Sequence, residues 1–180
     1  RMGIYWIKEE LEELSLKFQK PDIYKQISAK VKYPSEMKKK YMQEIITTLE
    51  DHIRPSVKGF NIYGRIKKAY SIYKKMQMQQ ISLEDVHDLL AFRVLVSSIE
   101  QSYEVLGIIH SLWKPIQGRF KDYIAMPKPN NYQSLHTTVI CVDGQRVEFQ
   151  IRSYEMHEIA EKGIAAVSYT HLTLPTIRLV

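Results

Sequence analysis

Apolar positions at three- and four-residue intervals open the chain: Ile4, Ile7, Leu11, Leu14 and Phe18 predict an amphipathic helix that stops before Pro21. Met37, Tyr41, Ile45 and Leu49 repeat at four-residue spacing and predict a second helix from about residue 34 or 35 to Ile53, closed by Pro55. The run VKGFNIY, Val57 to Tyr63, is rich in β-formers, and Gly64 then reads as a turn into a helix over Arg65 to about Met76. Ser82 and Asp85 have capping-box spacing, and DLLAFRVLVS supplies an apolar run of strand length, as in a buried central strand. Tyr103, Leu106, Ile109 or His110, and Trp113 predict a helix ended by Pro115. From Lys114 to Ser134 the chain is irregular, with Pro115, Gly118, Pro127, Pro129 and the pair Asn130 and Asn131; loops of that length are more often functional than idle.

The strands LHTTVICV and RVEFQIR follow, joined through Asp143 and Gly144 as a hairpin, and a last helix runs from about Tyr154 to Ala166. In the second strand Val147, Phe149 and Ile151 alternate with Arg146, Glu148, Gln150 and Arg152, so one face is apolar and the other polar. A polar face in mid-sheet invites a ligand. A two-residue loop would set His136 opposite Ile151, whereas a three-residue loop, the favoured reading, pairs it with Arg152 and joins it to the Glu148 side. Helices interleave with strands while the hairpin is antiparallel, so the expected class is α+β (mixed α/β), a mixed, mainly antiparallel sheet flanked by helices rather than a doubly wound one.

Charge sharpens this picture. The 180 residues carry 26 Lys and Arg against 20 Asp and Glu, a formal +6, and the excess is local. No acid occurs from His52 to Leu83, while Arg54, Lys58, Arg65, Lys67, Lys68, Lys74 and Lys75 do. On a helix, Arg65, Lys68 and Lys75 fall roughly on one side, beside an apolar stripe of Ile66, Tyr70 and Tyr73; a solvated basic face is the plain alternative to a polyanion site. No apolar run reaches membrane-spanning length, and Cys141, the single cysteine, excludes an internal disulfide and a thiolate metal cluster, so a soluble, cytoplasmic protein is expected.

No P-loop or dinucleotide glycine motif occurs, so side chains must hold any phosphate. His157, Glu158 and Glu161 lack the second histidine of a zincin, and His87 with Asp88 is too little for a metal-dependent phosphohydrolase. Asp88 and Glu148 lie on or beside predicted strands in basic surroundings. Each is open to an ordinary ion pair, with Arg93 or Arg152, yet together two carboxylates can hold Mg²⁺ while lysines and arginines neutralise a polyphosphate. Tyr132 offers a nucleobase an aromatic face, or simply packs on the core.

In order and spacing, GRIKKAYSIYKKM, DLLAFRV, GRFKDYIAMPKPNNYQSLHTTV and VEFQIRSYEMHEIAEKGIAA resemble the synthetase domain of the RelA/SpoT family, the enzymes that make the alarmones pppGpp and ppGpp. The resemblance covers about Tyr33 to Ala166. It implies a nucleotidyltransferase-like sheet and transfer of the β,γ-diphosphate of ATP to the ribose 3′-OH of GDP or GTP, with release of AMP. It further implies that Arg65, Lys67 and Lys75 grip ATP, that Asp88 and Glu148 serve Mg²⁺, and that Glu148 accepts the 3′-OH proton. Tyr132 would stack on guanine; Lys121, Lys128, Asn130 and His136 would address the guanine nucleotide or the phosphates in transit, and Gln150 would line the site. RFKD, Arg119 to Asp122, matches the basic version of a motif that is acidic in synthetase-only relatives, implying a bifunctional synthetase/hydrolase parent.

On that likeness residues 1–32 are a helical linker following a hydrolase domain, residues 33–166 the synthetase domain, and residues 167–180, VSYTHLTLPTIRLV from Val167 on, an unrelated tail resembling a sequence-assembly scar. Asn131 stands where the family usually has glycine, a tolerable change because Asn visits left-handed backbone readily. No membrane and no direct nucleic-acid contact are expected for the domain; ribosome binding, if any, belongs to the rest of the parent. Two other readings differ in kind: a non-catalytic nucleotide- or RNA-binding module, against which the basic residues do not alternate with aromatic ones, and a nucleotidyltransferase releasing pyrophosphate rather than AMP.

Overall fold

The computed structural model describes residues 5–32, 35–83, 86 and 90–162. Helices α1 (Tyr5–Gln19), α2 (Pro21–Lys32) and α3 (Ser35–Ile53) precede strand β1 (Asn61–Ile66) and helix α4 (Ala69–Gln79). Then come β2 (Leu90–Val96), α5 (Ile99–Leu112), the two-residue strands β3 (Lys114–Pro115) and β4 (Lys121–Asp122), β5 (Leu135–Ile140), β6 (Arg146–Ser153) and α6 (Tyr154–Lys162). The sheet runs β1-β2-β6-β5-β3, with β4 also paired to β5. Only β2 and β6 are parallel neighbours; the other pairs are antiparallel, as the mixed α+β expectation required.

Alternation divides the sheet into two faces. Phe92, Val94, Val147, Phe149, Ile151, Leu135 and Val139 point to the side covered by α3 and α5, whose Ile45, Leu49, Ile53, Val105 and Ile109 complete the core. Phe149 stacks between Phe92 and Trp113 at centroid separations of 5.3 and 5.6 Å. Burying each such ring stabilises the fold by about 1.5–3 kcal/mol, so this stack anchors β6 from behind.

Local expectations fail in four places, each for a physical reason. Helix α1 ends before Pro21 as expected, but the helix that Pro21 opens, α2, was not anticipated; at its first position the missing N–H costs nothing. Gly64 is not a turn but lies within β1, paired with Phe92; glycine stands there because a Cβ would collide with Met42 of α3 and come within 3.2 Å of Phe92. Strand β1 therefore extends through Arg65 and Ile66, and the helix begins only at Ala69, which voids the helical spacing read for Arg65 and Lys68. Residues 141–145 connect β5 to β6 through a 3-10 turn at Val142–Gly144, so His136 pairs with Gln150, neither with Ile151 nor with Arg152. It still joins the Glu148 face.

The fourth concerns α1. Its predicted inward stripe is largely exposed, Leu11 at 61% and Phe18 at 78%, and the helix docks instead through Glu9, Glu13, Leu16 and Lys20. These four share one helical side. A small second core of Leu16, Ile27, Ala69, Ile72 and Val86 joins α1 and α2 to α4. The capping-box aspartate, Asp85, the candidate Asp88 and the end of the predicted last helix lie outside the described residues.

Candidate active site

The polar face of the sheet gathers most of the expected residues by register alone. Glu148 sits beside Ala91 on β2 and Thr138 on β5; Gln150 sits between Arg93 and His136; Arg65 on β1 adjoins Ala91. Small Ala91 leaves room over the middle of the sheet. Short β4 lays Lys121 beside His136.

Glu148 is the centre of this face. Lys67, on the connector between β1 and α4, sets its ammonium 2.5 Å from Oε2, with the two side chains 16% and 18% exposed. His136 Nδ1 lies 3.5 Å from Oε1, and Gln150 Nε2 donates to Oε1 at 3.4 Å. Burial pushes the Glu148 carboxyl up, but the hydrogen bond from His136 and the charge of Lys67 outweigh it and hold the group well below the usual carboxylate range. Glu148 is thus an ionised acceptor at neutral pH. It pairs with neither Arg93 nor Arg152, the partners an ordinary ion pair would have used.

Those two arginines share another acid. Arg93 Nη1 and Arg152 Nη2 both donate to Oε1 of Glu161 on α6, at 3.1 and 3.2 Å, and Arg152 Nη2 also lies 2.7 Å from His157 Nδ1. Arg152 is 1% exposed, and the Nε atoms of both arginines have no hydrogen-bond partner among the described residues. Burial and the two arginines keep His157 below its ordinary pKa, so it accepts from Arg152 as neutral imidazole. With His157 engaged there, the zincin-like run has no metal geometry.

The long connector delivers aromatic groups. Asp122 pins it, accepting from the amides of Ile124 and Ala125 at 2.9 and 2.8 Å and from the Tyr103 hydroxyl at 2.9 Å. Asn130 Oδ1 accepts from the Tyr132 amide at 3.4 Å, and Asn131 adopts φ +57°, the left-handed conformation expected where glycine is usual. Tyr132 is then half-buried with its hydroxyl 2.8 Å from His136 Nε2, the Tyr123 ring edge-on, and the cations of Lys128 and Arg152 at 5.0 and 5.9 Å from its centroid. A chain of contacts therefore links Tyr132 through His136 to Glu148. A base stacking on Tyr132 would share its ring with Lys128.

The remaining expected residues are more dispersed. Arg65 Nη2 is 3.7 Å from Glu9 Oε1, and Lys75 is carried by α4, half-buried. Sequence reasoning passed over Tyr123 and the α1 acids, and it weighed Glu161 only as part of a zincin-like run, not as the partner of Arg93 and Arg152. Arg93 carried a usable signal as the one charge in an otherwise apolar strand, whereas Glu161 and Glu9 reach the site through long-range packing that no local pattern announces. Cys141 is buried and its thiol is pushed up to about 12 by burial, which removes it as a nucleophile. Among the described residues no three His, Cys, Asp or Glu side chains converge as a metal site, and no helix is long and apolar enough to cross a membrane.

The helix-flanked mixed sheet that carries this polar face and its ionised carboxylate is an architecture this chain shares with solved small alarmone synthetases. The small alarmone synthetase 1 of Bacillus subtilis, in a structure bound to its product pppGpp, shares this fold with a TM-score of 0.56 at 20% identity, over 77% of this chain and 78% of that one. The sequence pattern described as a region found in RelA/SpoT proteins matches residues 64–171, and the chain belongs to that family. It is 46% identical over 166 residues to a GTP pyrophosphokinase of Myxococcus xanthus and 45% identical over 170 residues to a guanosine-3′,5′-bis(diphosphate) 3′-pyrophosphohydrolase of Aquifex aeolicus. Each alignment covers 92% of this chain but only 22% and 24% of those proteins.

Proposed function

We propose that this domain synthesises (p)ppGpp, moving the β,γ-diphosphate of ATP to the 3′-oxygen of GDP or GTP. The observation that carries the reading is the ionised Glu148 on the polar sheet face, flanked by Lys67 on one oxygen and by His136 and, through it, Tyr132 on the other. In the reaction the 3′-oxygen bonds to the β-phosphorus of ATP, the bond from that phosphorus to the α,β-bridging oxygen breaks, and AMP leaves with that oxygen. The 3′-OH proton goes to Glu148. Lys67 and Arg65 stand beside the path of the polyphosphate; Lys75, Lys121, Lys128 and Gln150 neutralise or orient it, and Tyr132 with Asn130 receives guanine.

The low proton affinity of Glu148 fits this only if Lys67 can let go. A carboxylate clamped by an ammonium is a weak base; when Lys67 turns to the incoming phosphates, the opposing burial raises the basicity of Glu148 at the moment a proton must be accepted. The donor set also suits magnesium, an oxygen-seeking ion that needs few protein carboxylates beside substrate phosphates. Glu148, with Asp88, would hold it, and the ion would neutralise the migrating diphosphate. On this reading residues 33–166 form the synthetase domain and residues 1–32 a linker to a hydrolase domain.

Incubation of the chain with ATP, GDP and Mg²⁺ tests it: AMP and ppGpp should appear in equal amounts, and Glu148→Gln should lose at least a hundredfold in turnover while ATP still binds. Pyrophosphate in place of AMP, or full activity in Glu148→Gln, would reject the assignment. Salt-dependent RNA binding without guanine-nucleotide binding would favour a non-catalytic module.

A further inference from the structure

Helix α4 begins without a cap of its own. Lys68 occupies the N-cap with no side-chain hydrogen bond, and no acid lies in the first turn, so the amides there have no local acceptor. The acceptor comes from α1: Glu13 takes the amides of Ala69 and Tyr70, at 3.2 Å to Oε1 and 2.9 Å to Oε2. One turn earlier Glu9 divides its oxygens between Arg65 and Lys68, both at 3.7 Å, and Glu10 lies 3.6 Å from Lys68. Three carboxylates thus sit on two cations and a helix N-terminus, the combination that binds phosphate groups.

The way α1 is held matters as much. Its apolar stripe at Leu11, Leu14 and Phe18 is exposed, and Leu16 is its one buried side chain among the described residues. Ion pairs and the helix N-terminus therefore provide much of the hold, a kind of contact that another polyanion, or salt, competes with directly.

We propose that α1 is a displaceable anionic cover, with Glu9, Glu10 and Glu13 standing in for a polyphosphate on Arg65, Lys68 and the first turn of α4, so that ATP must push α1 aside to bind. The inference rests on the assignment of Arg65 to ATP and adds a competitor for the same cations. It makes ATP affinity a function of how firmly α1 is docked, while the guanine side of the face is unaffected.

Two measurements test it on the chain as it stands. Calorimetric titration with Mg-ATP and, separately, GDP compares the parent with Glu9→Gln/Glu13→Gln: ATP should bind about five- to tenfold more tightly in the variant, as expected for loss of two modest ion contacts, with GDP unchanged. Hydrogen exchange on the parent protein, which needs no substitution, should show residues 5–19 exchanging faster at saturating Mg-ATP and unaltered with GDP. Equal or weaker ATP affinity in the folded variant, or α1 exchange insensitive to bound ATP, overturns the cover while leaving the synthetase reading intact. Failure of parent and variant alike to bind ATP overturns both.

Discussion

Replacing Lys67 by Met tests one of the two contacts that hold the Glu148 carboxyl down, the other being the hydrogen bond from His136. At 2.5 Å two unit charges attract by about 7 kcal/mol at an effective dielectric of about 20 and by about 2 kcal/mol in bulk water. Both side chains are more than four-fifths withdrawn from solvent, so desolvation cancels much of the larger figure. The remainder is that of a charge-assisted hydrogen bond, about 2–3 kcal/mol of coupling. A double-mutant cycle of Lys67→Met, Glu148→Gln and the pair, followed by urea unfolding at pH 7, reads it directly. Lys67→Met alone should be the worst of the three, because it leaves a withdrawn carboxylate without its cation. The acid limb supplies a second reading. The folded-state pKa of Glu148 is depressed, so its contribution is present above the unfolded carboxyl value of about 4.3 and lost as the pH falls through the folded value. Without Lys67 that loss should begin at higher pH. A coupling below ~0.5 kcal/mol, the size found for solvent-exposed pairs, would refute the claim that Lys67 controls Glu148.

Three further outcomes follow from the geometry. Tyr132→Ala should raise the Kd for GDP about ten- to hundredfold through lost stacking, whereas Tyr132→Phe keeps the ring, loses the bond to His136, and should lower turnover more than affinity; equal effects of the two variants on GDP binding would contradict the stacking role. Phe149→Ala removes the middle ring of the buried stack and should cost ~3–5 kcal/mol in urea unfolding. Burial lowers both His110 and His157, with the neighbouring arginines adding to the effect at His157, so both favour the neutral form in the fold. Stability should therefore fall as pH drops below the unfolded histidine value of about 6.5, and His157→Gln should flatten that fall, as followed by thermal unfolding between pH 7 and 5.5.

Where periodicity was strict, the sequence was legible. The alternation in β6 placed Val147, Phe149 and Ile151 on one side and Glu148 and Gln150 on the other, and His136 joined the polar side even though its partner residue differed from either expected register. The four-residue spacing of Ile45 and Leu49 correctly marked the buried side of α3. Misreadings arose where tertiary contact overrode a local cue. Gly64 lies in β1, where α3 leaves no room for a Cβ; Pro21 opens a helix; and α1 sets Glu9 and Glu13 against Arg65, Lys68 and the start of α4 while Leu11 stays exposed. Of the site, Lys67, Glu148, Gln150, His136 and Tyr132 come together; Glu161 and Tyr123 complete it through pairings between distant segments.

Strand β6 is hydrogen-bonded on both sides, to β2 and to β5, and its alternate residues Val147, Phe149 and Ile151 are buried in the core, Phe149 within the aromatic stack. The main chain bearing Glu148 is consequently among the least deformable parts of the molecule. Two of the carboxylate's partners, His136 and Gln150, are carried by the sheet itself, whereas Lys67 comes from the β1–α4 link and Tyr132, which reaches Glu148 only through His136, from the Asp122-anchored loop. Tuning between related domains would then fall on the length and sequence of these joints, with the sheet serving as an immobile bench that can tolerate wide variation in its fittings.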